Sequence, residues 1–462
     1  MGKERESLIQ KIKNISPVRL IVSSFFIIIM IGSVLLCLPF SARSGRFTGF
    51  TNALFTATSA TCVTGLVPFD TWTHWSEVGQ AIILMLIQLG GLGLVSFTTG
   101  FTLLMRRKLD LRDMKLAQEY TSGNITDVPR LIRTILIWTF ACEAVGTLLL
   151  SIRFFPLYGV YGLWISMFLS VSAYCNAGFD ILGFLGPNTG LTTFVNDPLV
   201  SLTIAMLIVV GGIGFIVIND LHDWGIKKLR KVENHPHLTL HTHIVLRTTA
   251  ILLIAGTLLF MLFEYRNTLS DMNFFQKLNA SFFQSVTART AGYSTINVGD
   301  QHDITQMLTI VLMFIGASPA STGGGIKTTT FVVLIATVFS ILKGREDTVL
   351  LKRRVDKTTI YRSLTIVLLA ILIVTTTTAV ITIVEEGKPI TALDALFESV
   401  SAFATVGLTT GITHMLTDIS KLMLSLTMFI GRVGPISLVL ALTLRHRARG
   451  NTILPEGKII VG

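Results

Sequence analysis

Four stretches of the chain share one pattern: FTATSATCVTGL (Phe55 to Leu66), FLSVSAYCNAGF (Phe168 to Phe179), FFQSVTARTAGY (Phe282 to Tyr293) and FESVSAFATVGLTT (Phe397 to Thr410). Each carries a phenylalanine ten residues before one glycine, and those glycines, Gly65, Gly178, Gly292 and Gly407, stand 113, 114 and 115 residues apart. A near-constant period of this length marks four copies of one unit. The chemistry open to such a unit is that of the backbone. Glycine has no Cβ, adopts angles closed to other residues, and lets carbonyl oxygens turn toward a shared axis. Four such loops around one axis would offer carbonyls in place of the hydration shell of a cation. The candidate positions are Thr64 with Gly65, Ala177 with Gly178, Ala291 with Gly292, and Val406 with Gly407. In any single copy the glycine could equally be a turn between two helices. Four copies in the same phase favour the carbonyl reading.

The elements that would position these loops follow from composition. Hydrophobic residues are 51% and charged residues 14% of the chain, and the mean hydropathy is +0.67, which points to an integral membrane protein. The fold class expected is all-α, with four repeats of span, re-entrant loop and span, hence eight transmembrane helices around one central pore. First spans fall near Val18 to Phe40, Leu131 to Phe155, Ile244 to Tyr265 and Ile360 to Val384. Second spans fall near Val78 to Met105, Leu199 to Ile218, Met307 to Ile341 and Leu422 to Leu444. The helical run before each glycine is too short to cross, so it must enter the membrane and turn back inside protein or a wet cavity. Its negative C-terminal end would favour a cation over an anion. The repeats divide as 18–120, 121–235, 236–350 and 351–447, flanked by cytoplasmic segments 1–17 and 448–462.

With both termini inside, 28 of the 38 Lys and Arg residues lie at the termini, in the loops between repeats or at adjoining helix ends. That bias obeys the positive-inside rule and places the chain as a multi-pass protein of a cell membrane, the bacterial plasma membrane by expectation. The net charge of +11 therefore argues for anionic membrane lipid or an acidic partner, and not for nucleic acid. Met1 to Ser16 reads as an interfacial anchor. A signal peptide is disfavoured because the apolar run that follows is too long for one.

Cys37, Cys62, Cys142 and Cys175 lie in or beside apolar segments without a CxxC spacing, so no disulfide framework is implied, and small buried hydrophobes are expected. His235, His237, His241 and His243 lack a paired ligand set and read as a solvated loop. Glu143 reads as a packing residue, and Asp220, Asp223 and the run Lys227 to Lys231 as a helix end at the membrane surface. Gly90, Gly91 and Gly93 read as points of close helix approach. Arg289 either faces protein behind its loop and pairs with a carboxylate, the preferred reading, or tunes the field of the pore.

The second span of the third repeat contains Gly316-Ala317-Ser318-Pro319-Ala320-Ser321-Thr322-Gly323-Gly324-Gly325-Ile326-Lys327. Proline and three successive glycines predict two half-helices joined by a polar loop just below the glycine ring. A phosphate-binding loop is disfavoured, since Ile326 stands where GxxxxGK[ST] needs glycine and the run sits within an apolar span. Arg432 lies near mid-membrane, where a charge needs a partner or water. It is expected to hydrogen-bond the carbonyls of the loop and set a positive barrier in the ion path. The competing reading is an ion pair with Glu143. No Walker A loop and no GxGxxG after a strand is present, so no nucleotide is expected on this chain, and it is not read as an enzyme.

Thr405-Val406-Gly407 resembles a potassium-channel filter, and the whole arrangement from Val18 to Leu444 resembles the Trk/Ktr/HKT superfamily of potassium transporters, most of all the KtrB-type membrane subunits of Ktr systems. That resemblance implies potassium held by the carbonyls of Gly65, Gly178, Gly292 and Gly407, with sodium as a second candidate ion. Glycine at all four positions is the pattern the family associates with potassium. The other three copies depart from the channel motif, which implies fewer well-formed ion sites. The resemblance makes Ala317, Ser318, Ser321, Thr322, Gly323, Gly324, Gly325 and Lys327 an intramembrane gate, with Arg432 in the same barrier. It also implies a homodimer on a cytoplasmic nucleotide-binding regulatory ring of the KtrA-like or KtrC-like kind. Candidate docking surfaces are the loops Arg106 to Arg133, Lys227 to Arg247 and Lys343 to Arg362 and the tail after Arg445. The expected function is potassium uptake through a gated, channel-like pore under the control of that ring, with stimulation by sodium among the expectations; the competing one is the potassium-translocating membrane subunit of an ATP-driven pump.

Overall fold

The computed structural model describes residues 17–93, 128–186, 189–230 and 237–443. The first sixteen residues, the segment 94–127, His235 and the tail from 444 lie outside the described residues, and with them the anchor, most of the first docking loop and the C-terminal tail. Around Gly65 lie α1 (Pro17–Cys37), α2 (Phe50–Cys62) and α3 (Glu77–Leu92). Around Gly178 lie α4 (Val128–Tyr158), α5 (Val160–Tyr174), α6 (Pro198–Ile213) and α7 (Phe215–Leu229). Gly292 is flanked by α8 (Leu240–Glu264), α9 (Phe274–Thr287), α10 (Asp303–Phe314) and α11 (Thr328–Leu342). Gly407 is flanked by α12 (Lys357–Val384), α13 (Ala392–Ala404), α14 (Asp418–Val433) and α15 (Pro435–Thr443). Strand is confined, among the described residues, to isolated bridges and a basic hairpin of β1 (Val349–Leu350) with β2 (Arg353–Arg354).

Helices α1, α4, α8 and α12 are each long and apolar enough to cross a membrane, and α6 with α7 meets the same test as a pair bent by 95°. The four short helices α2, α5, α9 and α13 pack in a cycle. Each lies against the long helix of its own stretch and against the second helix of the stretch before: α5 on α3, α9 on α6, α13 on α10. The cycle closes because α2 packs on α14, from the far end of the chain.

The second spans differ from expectation. Leu199 to Ile218 and Leu422 to Leu444 were expected to run unbroken, but the helix stops at Gly214 (φ 101°) and again at Gly434 (φ 91°). In the first stretch α3 ends the same way, at Gly93 (φ 75°). A backbone with this sign of φ cannot continue a right-handed helix, and glycine adopts it without strain. The signal is Gly90-Gly91-Leu92-Gly93, Gly211-Gly212-Ile213-Gly214 and Gly431-Arg432-Val433-Gly434. The leading glycine of each set has its own reason. A Cβ on Gly90, Gly211 or Gly431 would collide with the carbonyl oxygen of Thr61, Tyr174 or Phe403, in the last turn of the neighbouring short helix.

Two buried carboxylates pin the outer ends of these helices. Glu264 accepts from the backbone N–H of His302 (3.0 Å) and the Thr305 hydroxyl (2.5 Å), at the start of α10. Glu385 accepts from the Thr417 N–H (2.8 Å) and the Ser420 hydroxyl (2.6 Å) at the start of α14, and pairs with Lys388 at 2.6 Å. Each satisfies donors that a helix start leaves open and complements its positive end.

Candidate functional site

Each short helix ends in the same turn. Val63, Asn176, Thr290 and Thr405 take left-handed angles (φ 58°, 59°, 71° and 51°), and two residues later Gly65, Gly178, Gly292 and Gly407 again have positive φ (99°, 69°, 81° and 92°). The turn is tethered from inside the helix. The Ser59 hydroxyl accepts from Gly65 N–H and the Ser401 hydroxyl from Gly407 N–H, both at 3.0 Å. The Ser172 hydroxyl accepts from Phe179 N–H at 3.0 Å, and Thr287 donates to the Tyr293 carbonyl at 2.5 Å. These four hydroxyls were not singled out from the sequence. A Ser four residues after the Phe in three of the copies was the available signal.

The four turns meet. A Cβ on Gly65 would lie 2.6 Å from the Ala177 carbonyl oxygen, and one on Gly178 would lie 2.7 Å from that of Ala291. One on Gly292 would collide with the Val406 oxygen, and one on Gly407 with the Thr64 oxygen. All eight residues singled out from the sequence, Thr64, Gly65, Ala177, Gly178, Ala291, Gly292, Val406 and Gly407, thus form one closed ring. Above it opens a cavity of about 450 Å³ lined by the four glycines and by Asp70 and Asp180. Desolvation, reinforced by the neighbouring Asp70, raises the Asp180 carboxyl to about 6 although the Leu182 N–H bonds it.

Residues 315–327 leave the helix and fold back, with a parallel bridge between Ile315 and Ile326. This loop touches the turns of two other stretches. The Thr322 hydroxyl donates to the Tyr174 carbonyl (3.3 Å), and Gly324 N–H donates to the Thr405 hydroxyl (3.0 Å). Ser318 N–H donates to the Gly212 carbonyl (3.1 Å), and the Ser321 hydroxyl donates to the Ser318 carbonyl (2.7 Å). Glycine is required at Gly323 and Gly324, where a Cβ would strike the Thr290 and Thr405 hydroxyls. Gly325 has φ 72°, and Ala317 is buried beneath the same turns. Lys327 reaches back to the Gly323 carbonyl at 2.6 Å. Arg432 donates to the Thr322 carbonyl of the loop and, from the other side, to the carbonyls of Gly90 and Gly91, the latter at 3.3 Å. Its guanidinium fork ties three chain segments together.

Three smaller readings change. The ion pair of Arg432 with Glu143 is not formed: Glu143 accepts from the Gln88 amide at 3.3 Å and lies 3.9 Å from the Cys175 thiol. Arg289 has no carboxylate partner among the described residues. Its Nε is buried without a hydrogen bond, and just past the end of α9 it lines a small cavity with Ile208, Val286 and Ala317, where α9 packs on the apolar α6. Asp220 does more than end a helix: it accepts from the Thr239 N–H and the Thr242 hydroxyl, fastening α7 to the start of α8.

The sequence profile of TrkH, a cation transport protein, matches residues 10–449. The potassium/sodium uptake protein NtpJ of Enterococcus hirae is 37% identical over 97% of this chain and 98% of its own length. The Ktr system potassium uptake protein B of Bacillus subtilis is 36% identical over the full length of both. The crystal structure of the potassium transporter TrkH from Vibrio parahaemolyticus superposes with a TM-score of 0.70, covering 92% of this chain and 85% of that one at 15% identity, a likeness of fold. The chain is therefore a member of the TrkH family of cation transport proteins.

Proposed function

We propose that this chain carries potassium into the cell through a channel-like pore, with the glycine ring as its filter and the 315–327 loop as its gate. The observation that supports this most is the closed ring: four turns from four distant parts of the chain meet with their glycines in contact, under a cavity bearing two carboxylates. Alternating backbone handedness at Val63 and Gly65, and at the three equivalent pairs, turns successive carbonyls to one side of each strand. That is the arrangement in which carbonyls replace ion hydration. The uptake activity in the names of the two relatives agrees with it.

In this reading each stretch is a span, a re-entrant loop and a broken second span, eight crossings in all with both termini inside. Glycine at all four ring positions favours potassium, and sodium is the second ion. The loop and Arg432 lie below the ring and close the path, the guanidinium acting as a positive barrier. In the same reading two copies of the chain sit on a cytoplasmic nucleotide-binding ring; the name of the Bacillus subtilis relative, a protein of a Ktr system, agrees with a partner subunit and no more. The test is rubidium tracer uptake into liposomes holding only this protein, with potassium inside and no nucleotide. Uptake that potassium competes, and that Gly407→Asp abolishes, is expected. Uptake that appears only with an added ATPase subunit and ATP would instead make the chain part of a pump.

A further inference from the structure

Among the described residues three cationic side chains are more than nine-tenths buried: Lys277 (7% exposed), Arg289 (8%) and Lys421 (8%). Two of them reach acceptors. The Lys277 ammonium donates to the Tyr265 carbonyl at 3.0 Å, and the Lys421 ammonium to the Asn52 amide oxygen at 3.0 Å. Arg432 and Lys327, less buried, also end on carbonyls. Arg289 is the exception. It stands just past α9, three residues before Gly292, and its Nε is buried without a hydrogen bond. Among the described residues no carboxylate pairs with it. A guanidinium keeps its charge and offers donors with no acceptor. Within a membrane protein such a group needs a partner, because a charge removed from water and left alone is costly.

The cavity that Arg289 lines says which partner fits. Ile208, Val209 and Gly212 of α6, Leu253 of α8 and Ala317 of the loop are among its walls, and apart from the arginine every lining side chain is apolar or absent. The centre of a water-sized particle has about 10 Å³ of space there, room for one water molecule or one halide ion and for nothing as large as a carboxylate or a phosphate. A buried water makes about three hydrogen bonds, and here the guanidinium is the one polar side chain on offer. A small anion is held by charge as well as by hydrogen bonds, and it neutralises the arginine in place.

We propose that Arg289 and this cavity form a site for a single halide ion, chloride being the common one. The bound ion offsets the burial of the guanidinium, so occupancy stabilises the folded chain. It also cancels a positive charge beside the third turn of the ring, where an uncompensated charge in a low-dielectric interior repels an entering cation. Chloride therefore raises potassium uptake. The effect on uptake rests on the ring being the filter; the occupancy of the site does not.

The test uses the full chain. Its thermal unfolding is followed while chloride replaces gluconate at constant potassium and constant ionic strength, and rubidium uptake into liposomes is measured over the same range. The unfolding midpoint of the unaltered chain should rise and saturate with chloride, and with bromide in its place. Arg289→Gln should lose that response. Val209→Leu, which keeps the arginine, takes up part of the cavity and guards against a folding defect, should need about tenfold more chloride. Rubidium uptake by the unaltered chain should be severalfold higher in chloride than in gluconate, and in Arg289→Gln the two anions should no longer differ. No chloride response of the unaltered midpoint, or an undiminished one in both variants, overturns the site and leaves water as the partner. A chloride-dependent midpoint lost in Arg289→Gln, with no rubidium uptake by the unaltered chain in either anion, keeps the site and sinks the filter. Uptake without any chloride-dependent midpoint does the reverse.

Discussion

Replacing Gly407 by alanine separates what the ring does from what its backbone costs. Gly407 has φ 92°, where an L-residue is strained by about 1–2 kcal/mol. Gly387, in the loop after α12, has nearly the same angle, φ 90°, and its added Cβ would meet nothing within 4 Å. A Cβ on Gly407 would instead collide with the Thr64 carbonyl oxygen and lie 2.9 Å from the Gly65 Cα. Neither atom is the end of a flexible side chain, so the ring must open by roughly 1 Å to relieve the overlap. A misplacement of that size in a preorganised site costs about 100-fold in rate, close to 2.7 kcal/mol. Gly387→Ala should lose about 1–2 kcal/mol of stability from strain alone, and Gly407→Ala the same strain plus about 1–3 kcal/mol for the overlap. In liposomes Gly387→Ala should take up rubidium within about twofold of the parent, while Gly407→Ala should fall about 100-fold. Equal uptake per folded protein by the two variants would refute the reasoning, since the strain is shared and only the collision differs.

Three further perturbations test other parts of the site. Because the Asp180 carboxyl is raised to about 6, its charge is lost as external pH falls through that value; uptake at low rubidium should decline between pH 7 and 5, and Asp180→Asn should flatten the curve, with Asp70 and His414 lining the same cavity. Arg432→Ala, or deletion of Ser318 to Gly325, removes the tie between the loop and the carbonyls of Gly90 and Gly91, so uptake without any regulator should rise severalfold; unchanged or lower uptake in folded protein counts against a gate. At Glu385 burial alone would raise the carboxyl, but Lys388, Ser420 and Thr417 outweigh it and hold the group at about 2. Its stabilising effect is complete above the unfolded value of 4.5 and is lost as pH falls toward 2, so Glu385→Gln should cost about 1–2 kcal/mol in unfolding at pH 7 and progressively less below pH 4.5.

The sequence by itself determined the unit and its count. Gly65, Gly178, Gly292 and Gly407 in fixed phase with a phenylalanine are a local pattern, and the all-helical membrane class follows from composition, because both are properties of the chain that need no partner. The non-helical stretch around Pro319 was legible for the same reason: proline and a glycine run act on their own backbone. Only the tertiary structure decided what depends on neighbours far away in the chain. Gly214 and Gly434 end their helices, yet glycines in an apolar run, even in the groups Gly211-Gly212-Ile213-Gly214 and Gly431-Arg432-Val433-Gly434, tolerate either outcome until the adjoining segments dock. Gly90, Gly211 and Gly431 are required by the carbonyls of Thr61, Tyr174 and Phe403, which no spacing along one helix reveals. Arg432 had two plausible partners, and packing chose Thr322, Gly90 and Gly91 over Glu143. Arg289, expected to meet a carboxylate, lines a small cavity of mostly apolar residues instead, because the surroundings of a buried charge are set by whichever helix lands against it.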